Sequence, residues 1–199
     1  METIYIVDFL NIFSDFREMR YKLYDIDWKD VMHNRFEQDL NIFFKWFFEY
    51  YITELQLEKN CQFVFVMKNI GFTKLFQNIL ETYSSRNVLF LSIDKQDDVI
   101  IDKNKDDFLC KYLYCLYKIQ GKKVHLISND LYRDFKDYFT IFKDKTFNIL
   151  LSKISSEKNI SIKINHIVLS RVFQKIEKIS IKKEKLKYLD YYKYEKSKF

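Results

Sequence analysis

A short apolar run, TIYIV at residues 3–7, stops abruptly at Asp8. β-Branched and aromatic side chains in such close succession are typical of a strand that is buried on both faces. Three further runs have the same character, namely QFVFVM at 62–67, NVLFLSI at 87–93 and KVHLIS at 123–128. Short apolar runs separated by longer segments predict the strands of a parallel sheet.

The segments between these strands carry apolar side chains every three to four residues, which predicts helices. Predicted helices cover 36–57, 72–83, 106–120, 130–139 and 166–178. A fifth strand is predicted at 147–151 and an extra edge strand at 160–164. Strands that alternate with helices form βαβ units. We therefore expect an α/β fold, a Rossmann-like three-layer α/β/α arrangement with a mostly parallel sheet of about four to five strands.

The composition fits one folded domain with a basic surface. The chain has 199 residues, 48% of them hydrophobic, and a formal net charge of +6. We expect a domain over 1–165, followed by a helical, Lys/Tyr-rich C-terminal extension over 166–199. The positive charge suits a polyanionic partner. The chain is rich in Lys, Asn, Ile, Phe and Tyr, which have A/T-rich codons, and it lacks Pro and Ala, which have G/C-rich codons. This composition indicates an AT-rich genome, such as that of a large DNA virus, a parasite or an AT-rich bacterium.

Cysteine usage and the start of the chain indicate an intracellular protein. Cys61, Cys110 and Cys115 form no C-x-x-C pair, so the sequence predicts neither a disulfide framework nor a zinc finger. Cys110 and Cys115 are expected in the core, because free cysteines are usually buried. Neither a signal peptide nor a membrane-spanning run is evident, so we expect a cytoplasmic location and no membrane partner.

Carboxylates follow two of the predicted strands and begin one helix. Asp8 ends the first strand, Asp130 and Asp134 follow the fourth, and Asp106 and Asp107 open the helix before it. Each of these residues alone is also explained as a helix cap. The carboxyl ends of parallel strands, however, meet at one edge of the sheet, where ligands bind. Crowded carboxylates are destabilising unless a cation neutralises them, and oxygen-only ligands favour Mg²⁺ or Mn²⁺.

Three stretches in this order resemble the PIN-like nuclease superfamily. They are IYIVDFLN at 4–11, KDDFLCKYL at 105–113 and LISNDLYRD at 126–134. The chain is most similar to NYN/Regnase-type ribonuclease domains, in which the SNDxYRD pattern is characteristic, and the resemblance covers roughly residues 1–150. It implies a metal-dependent endoribonuclease that cleaves single-stranded RNA by two-metal-type phosphodiester hydrolysis with Mg²⁺ or Mn²⁺.

The resemblance also implies roles for individual residues. The implied catalytic residues are Asp8, Asn11, Asp106, Asp107, Asp130 and Asp134. The metal ligands among them would be Asp8, Asp107 and Asp130 at the centre, with Asp134 and Asp106 binding a second metal or metal-bound water. Asn11 would orient Asp8 or contact phosphate. Ser128, Asn129 and Arg133 would form the substrate-binding loop, although Arg133 is equally able to pair with a neighbouring aspartate.

The sequence departs from the family pattern after Asp8, where Phe9 and Leu10 replace small residues. Two bulky side chains there are expected to narrow access to the site. The alternative function is therefore a catalytically weak or inactive PIN-like domain that serves as an RNA-binding or assembly module in a larger complex. Haloacid-type phosphatases require a second aspartate at position 10, and dinucleotide binding requires a glycine-rich loop that is missing.

Aromatic and basic segments outside the motif are each consistent with more than one kind of partner. The aromatic run FFKWFFEYY at 43–51 is expected in the core or on a dimer face rather than as a base-stacking platform. The Lys/Tyr-rich residues after Ser180 either bind phosphates and bases or form a solvated face. Single-stranded or stem-loop RNA is the expected partner, with a homodimer or a protein complex also open. His33, His125 and His166 are scattered, and none is expected to act as a general base.

Overall fold

The computed structural model describes residues 2–22, 27, 35–54, 60–67, 73–93, 105–130, 146–154, 159–168 and 178–179. The strands are β1 (Thr3–Asp8), β2 (Cys61–Val66), β3 (Asn87–Ile93), β4 (Lys123–Ile127), β5 (Thr146–Ile154), β6 (Asn159–Val168) and β7 (Lys178–Ile179). The helices are α1 (Phe9–Lys22), α2 (Phe36–Trp46), α3 (Thr73–Thr82) and α4 (Lys105–Ile119). Helix α2 continues as a π-helical turn (Phe47–Tyr51) and a last α-helical turn (Ile52–Glu54).

The strands form one sheet in the order β6-β5-β3-β2-β1-β4-β7. Strands β3, β2, β1 and β4 are parallel neighbours, and the short β7 extends them in the same direction. Strands β5 and β6 add an antiparallel hairpin on the β3 side. The predicted α/β class is confirmed. The fifth and edge strands are present, and β7 is an addition that the sequence analysis did not predict.

Alternating side chains of the parallel strands build a core on each face of the sheet. Tyr5 and Val7 pack with α1, α2 and α3, whereas Ile4 and Ile6 pack with α4. The described helices therefore cover both faces and make the three layers expected of a Rossmann-like fold. Burial on both faces also explains why the strands are continuously apolar instead of alternating with polar residues.

The run at 43–51 lies in the core on the α1–α3 face. Phe43, Phe44, Trp46 and Phe47 are completely buried, and their rings meet others mostly edge-to-face or tilted. Such geometry places the positive edge of one ring against the negative face of the next. The prediction that this run packs in the core is confirmed.

Tyr51, in the π-helical turn, is buried, and its hydroxyl has no hydrogen-bond partner among the described residues. Burial raises the pKa of this phenol, so the hydroxyl stays protonated. We expect Tyr51→Phe to leave the free energy of unfolding unchanged or to raise it by about 1 kcal/mol, because removing an unsatisfied buried hydroxyl removes a desolvation cost. Urea unfolding of both proteins checks this, and a loss of more than about 1 kcal/mol would show that the hydroxyl is bonded.

The structure differs from the predicted secondary structure in two places. Helix α1 was not predicted, although Phe9, Ile12, Phe13 and Phe16 share its buried face. The helix predicted at 166–178 is wrong at both ends, because residues 166–168 belong to β6 and Lys178 to β7. The antiparallel pairing of β6 with β5 overrides the helical spacing of apolar residues in this part of the sequence. Residues 169–177, the helix predicted at 130–139 and the tail after Ser180 lie outside the described residues, and the division at residue 165 stays a prediction.

Cys110 and Cys115 lie in the core, as predicted. Cys110 and Cys115 are buried on α4, and Cys61 is half-buried at the start of β2. Burial raises the pKa of the Cys115 thiol to about 11, and only the thiolate reacts with alkylating agents. We expect iodoacetamide at pH 8 to modify Cys61 in the native protein and to reach Cys110 and Cys115 only after unfolding. Peptide mass spectrometry reads this out, and equal labelling of Cys115 and Cys61 in the native protein would contradict it.

No helix in the part of the chain that the structure describes is both long enough and apolar enough to cross a membrane.

Candidate functional site

The candidate site lies where the strand order reverses. The chain runs from β1 outward through β2 to β3, and it then returns to place β4 on the other side of β1. In open α/β sheets the crevice at such a switch point, beyond the carboxyl ends of the strands, is where ligands bind. β1 ends at Asp8 and β4 at Ile127, so Asp8 and the residues after Ile127 meet at this crevice.

Asp8 is the buried carboxylate of this site. Only 2% of the residue is exposed, and strand alternation puts it on the same face as Ile4 and Ile6, the face that α4 covers. Its Oδ2 accepts a hydrogen bond of 2.7 Å from the Oγ of Ser128. An ionised carboxylate loses much of its hydration free energy when it is buried, and the hydrogen bond from Ser128 compensates for part of this loss.

Ser128 joins β1 to the segment after β4. Its single hydroxyl proton goes to Asp8, and its Oγ accepts a bond of 3.0 Å from the backbone N–H of Asp130. The Oδ1 of Asn11 lies 3.4 Å from the same hydroxyl. The backbone N–H of Ser128 donates to the carbonyl of Ile179 in β7 at 3.2 Å. A fully buried serine therefore sets the positions of Asp8 and Asp130 relative to each other.

Helix α1 anchors the same segment from the other side. The Oδ1 of Asn11 accepts a bond of 2.8 Å from the backbone N–H of Asn129. The Nδ2 of Asn129 donates to the Oδ2 of Asp15 at 2.5 Å. Asn11 and Asp15 are four residues apart and so lie on one face of α1. Asp15 was not among the predicted site residues, although this spacing after Asn11 is a usable signal once α1 is recognised.

Asp106 and Asp107 occupy the first turn of α4, which packs against β1 and β4. Asp106 is buried and Asp107 is half-buried. Because α4 follows β3 and precedes β4, its first turn lies at the carboxyl end of the parallel strands, as predicted. The helix dipole also favours carboxylates in this turn, so their presence alone does not show a metal site.

Lys111 is a buried lysine beside these carboxylates. It is 6% exposed and lies one helical turn after Asp107. Burial lowers the pKa of its ammonium to about 8, while the negative charges of Asp107 and Asp130 act in the opposite direction and favour the charged form. Lys111 was not among the predicted site residues, although Asp107 and Lys111 at i and i+4 are a recognisable pair.

The structure thus joins five of the predicted residues in one hydrogen-bonded group. Hydrogen bonds connect Asp8, Asn11, Ser128, Asn129 and Asp130. Asp107 and Asp130 both interact electrostatically with Lys111, and Asp106 shares a helical turn with Asp107. Arg133 and Asp134 lie outside the described residues. Their roles stay predictions.

The donor chemistry at this edge fits a hard divalent cation. The carboxylates of Asp8, Asp106, Asp107 and Asp130 all offer oxygen, which Mg²⁺ and Mn²⁺ prefer. Within the described ranges, no three side chains among His, Cys, Asp and Glu converge closely enough to be a metal-binding group. His125 lies within β4 with its ring stacked on that of Tyr5, away from the strand's end.

The bulky residues after Asp8 do not crowd this crevice in the way the sequence suggested. Phe9 is buried in the aromatic core, where its ring contacts those of Phe13, Phe44 and other core residues. Leu10 is half-buried and packs against the same core. Phe9 starts α1 immediately after the strand, so the change of backbone direction turns its side chain to the α1–α3 face. The expectation that Phe9 narrows the site is therefore wrong.

Replacing Ser128 with alanine removes the donor to Asp8 and the acceptor for Asp130 in one step. We expect a loss of about 1–3 kcal/mol in the free energy of unfolding, since buried polar groups are left unsatisfied. Ser85→Ala, at an exposed position in the turn before β3, is the matched control and should change stability by less than about 0.5 kcal/mol. Equal stabilities of the two variants in urea titrations would show that the Ser128 bridge contributes nothing.

Comparison with known proteins found no relative of this chain. The chain matches no protein-family model, no curated protein and no solved structure. The chemistry of the site is therefore inferred from its own residues. Asp8 is a buried carboxylate that Ser128 holds at the switch point of the sheet. Asp106, Asp107 and the buried Lys111 lie on α4.

Proposed function

We propose that this chain is a metal-dependent endoribonuclease that cleaves single-stranded RNA. The observation that carries the proposal is the placement of Asp8, a carboxylate buried at the switch point and held by Ser128. The resemblance of residues 4–11, 105–113 and 126–134 to PIN-like nucleases gives Asp8 a catalytic role and places Ser128 in the substrate-binding loop.

Burial distinguishes Asp8 from an ordinary turn residue. A carboxylate that only caps a turn is usually solvated, and moving it into the interior is costly unless charge or hydrogen bonds compensate. A carboxylate buried at the end of an interior strand is reasonable where its charge serves to bind a cation. The oxygen-only side chains around it suit Mg²⁺ or Mn²⁺.

The carboxylates would serve the reaction indirectly. Phosphodiester hydrolysis builds negative charge on the attacking and leaving oxygens, which carboxylates cannot stabilise themselves. By the resemblance, Asp8, Asp107, Asp130 and Asp134 would hold the cation, with Asp106 as a further candidate. Asp8, Asp107 and Asp130 do not converge as a metal-binding group among the described residues. Once bound, the cation supplies a polarised water and charge stabilisation at the phosphate. Ser128 and Asn129 fix the loop that carries Asp130, and the net charge of +6 favours a polyanionic substrate.

A cleavage assay with several substrates tests the proposal. The purified chain is incubated with end-labelled single-stranded RNA and with DNA of the same sequence, in Mn²⁺, in Mg²⁺ or in EDTA. We expect internal cleavage of RNA that requires metal and leaves 5′-phosphate and 3′-hydroxyl ends. Cleavage that persists in EDTA and leaves cyclic phosphate ends would contradict metal-dependent hydrolysis. RNA binding without cleavage would instead support the alternative of a binding or assembly module.

A further inference from the structure

We propose that Asp15 is a positioning residue of the candidate site, which holds the segment after β4 in place through the side chain of Asn129. Asn129 is then part of the scaffold of the site, and not of its substrate-binding surface as the resemblance to PIN-like nucleases implies. This inference rests on the proposed function, since it concerns the same site. Asp15 lies outside the three stretches that carry the resemblance.

The hydrogen bond between Asp15 and Asn129 has a fixed direction. An ionised carboxylate only accepts hydrogen bonds, so the Nδ2 of Asn129 is the donor and the Oδ2 of Asp15 is the acceptor, at 2.5 Å. Hydrogen bonds to a carboxylate are shorter and stronger than those between two neutral groups. This bond is partly buried, so water competes less for it than for a surface contact. It therefore ties the segment after β4 firmly to α1.

The backbone of Asn129 is bound to the same helix. Its N–H donates to the Oδ1 of Asn11 at 2.8 Å, and Asn11 lies one helical turn before Asp15. Two bonds from one residue to successive turns of α1 fix both the position and the orientation of that residue. Asp130 follows directly, and its own N–H is bound to the Oγ of Ser128 at 3.0 Å. The backbone that carries the Asp130 carboxylate is therefore held at two successive residues.

Helix α1 also relates this segment to Asp8. Asp8 ends β1 and Phe9 begins α1, so Asp8 and Asp15 belong to one continuous stretch of regular structure. Ser128 joins the segment to Asp8 directly, and the bond of Asn129 with Asp15 is a second, separate connection further along α1. Loss of the Asp15 carboxylate is therefore expected to loosen the segment without unfolding the sheet, because the Ser128 bond remains.

The position of the Asp15 carboxylate also limits what Asn129 can bind. The Nδ2 of Asn129 lies 2.5 Å from a carboxylate oxygen. A phosphate oxygen that approached the same amide would come close to this carboxylate, and the two negative charges would repel each other. The side chain of Asn129 is thus occupied with α1 instead of with RNA.

Exchanging the donor and the acceptor tests the connection without any measurement of activity. Asn129→Asp places two carboxylates opposite each other, whereas Asp15→Asn/Asn129→Asp restores an amide–carboxylate pair with the direction reversed. We expect Asn129→Asp to lower the melting temperature and to speed hydrogen exchange in peptides that cover residues 124–130. The double variant should recover at least about half of both losses, because the two substitutions are coupled through one bond. If Asn129→Asp does not fold, the double variant should fold.

Asp15→Asn alone completes this set of variants. It leaves an amide oxygen that still accepts the bond from Asn129, so it should change the melting temperature and the exchange rates least of the three.

Steady-state cleavage of single-stranded RNA in Mn²⁺ distinguishes positioning from substrate binding. Asp15→Ala removes the acceptor, and we expect kcat to fall by about 10-fold or more while KM stays within about twofold of the wild type. Ser14→Ala, at an exposed position on the same helix, is the matched control and should change neither constant. A rise in KM at unchanged kcat would show that Asp15 and Asn129 bind substrate, and it would overturn the positioning role.

The two experiments separate the role of Asp15 from the proposed nuclease. A double variant that is as unstable and exchanges as fast as Asn129→Asp, on a protein that cleaves RNA, would refute the role of Asp15 and keep the nuclease. Recovery in the double variant, on a protein that cleaves no RNA, would refute the nuclease and keep Asp15 as the residue that holds the segment.

Discussion

Replacing Asp39 with asparagine is expected to lower the free energy of unfolding by about 3–5 kcal/mol, because it removes the negative charge from a buried ion network. Asp39, on α2, is fully buried. Its carboxylate accepts bonds from Arg17 Nε at 2.7 Å, from an Arg20 terminal nitrogen at 2.9 Å and from the Tyr21 hydroxyl at 2.8 Å. Both arginines are themselves buried on α1, so the substitution takes from two buried positive charges the carboxylate that they share.

Glu18→Gln is the matched control for this substitution. Glu18 also lies on α1 and pairs at 2.7 Å with Lys22, whose side chain is 68% exposed. Exposed i,i+4 pairs contribute about 0.3–0.5 kcal/mol, so the control should unfold almost like the wild type. Urea titrations of the three proteins give the comparison. If Asp39→Asn loses no more stability than Glu18→Gln, the buried network does not hold α1 against α2.

The network also matters for the site. Helix α1 carries Asn11 and Asp15, which anchor Asn129. Asp39 fixes the second half of the same helix through Arg17 and Arg20. A weakened junction between α1 and α2 is therefore expected to loosen the loop after β4 before the whole sheet unfolds.

The second large effect is expected on cleavage. Asp8→Asn should reduce the rate of RNA cleavage at saturating Mn²⁺ by at least about 100-fold, since loss of residues that merely support metal ligands already costs about 10–100-fold. The fold should persist, because an asparagine Oδ1 can still accept the hydrogen bond from Ser128. The measurement is the initial rate on end-labelled RNA together with the melting temperature.

Glu81→Gln provides the control for the Asp8 variant. Glu81 is exposed, so the same change of a carboxylate to an amide should leave both rate and melting temperature unaltered. An Asp8→Asn protein that is folded and cleaves as fast as the wild type would remove Asp8 from the catalytic site. A variant that has lost both cleavage and cooperative unfolding would show that Asp8 is needed for folding.

The strands of the parallel sheet could be predicted because burial on both faces makes each of them a continuous apolar run. Helix α1 was not recognised because its buried face is only partly apolar. Phe9, Ile12, Phe13 and Phe16 follow the helical period, but Arg17 and Arg20 continue the same face as buried charges. Their partner Asp39 lies on another helix, and pairing across such a distance leaves no local trace in the sequence.

In the candidate site, too, residues with a local sequence pattern could be predicted and residues that depend on distant partners could not. Asp8 and the segment from Ser128 to Asp130 were predicted, because the carboxyl ends of parallel strands meet wherever the sheet is parallel. Asp15 and Lys111 were not, because their importance depends on Asn129 and Asp130, which approach only in three dimensions. For Phe9, the sequence indicated bulk next to Asp8 but not that α1 begins at once and turns this ring into the core.

Cleavage of single-stranded RNA by the wild type and by the Asp8→Asn/Asp130→Asn double variant, side by side in Mn²⁺, tests the proposed nuclease most directly. The two residues come from separate strand ends that Ser128 joins, and we expect the double substitution to abolish the cleavage that the wild type shows. Equal cleavage by both proteins, or no cleavage by either on several RNA substrates, would contradict the proposed nuclease.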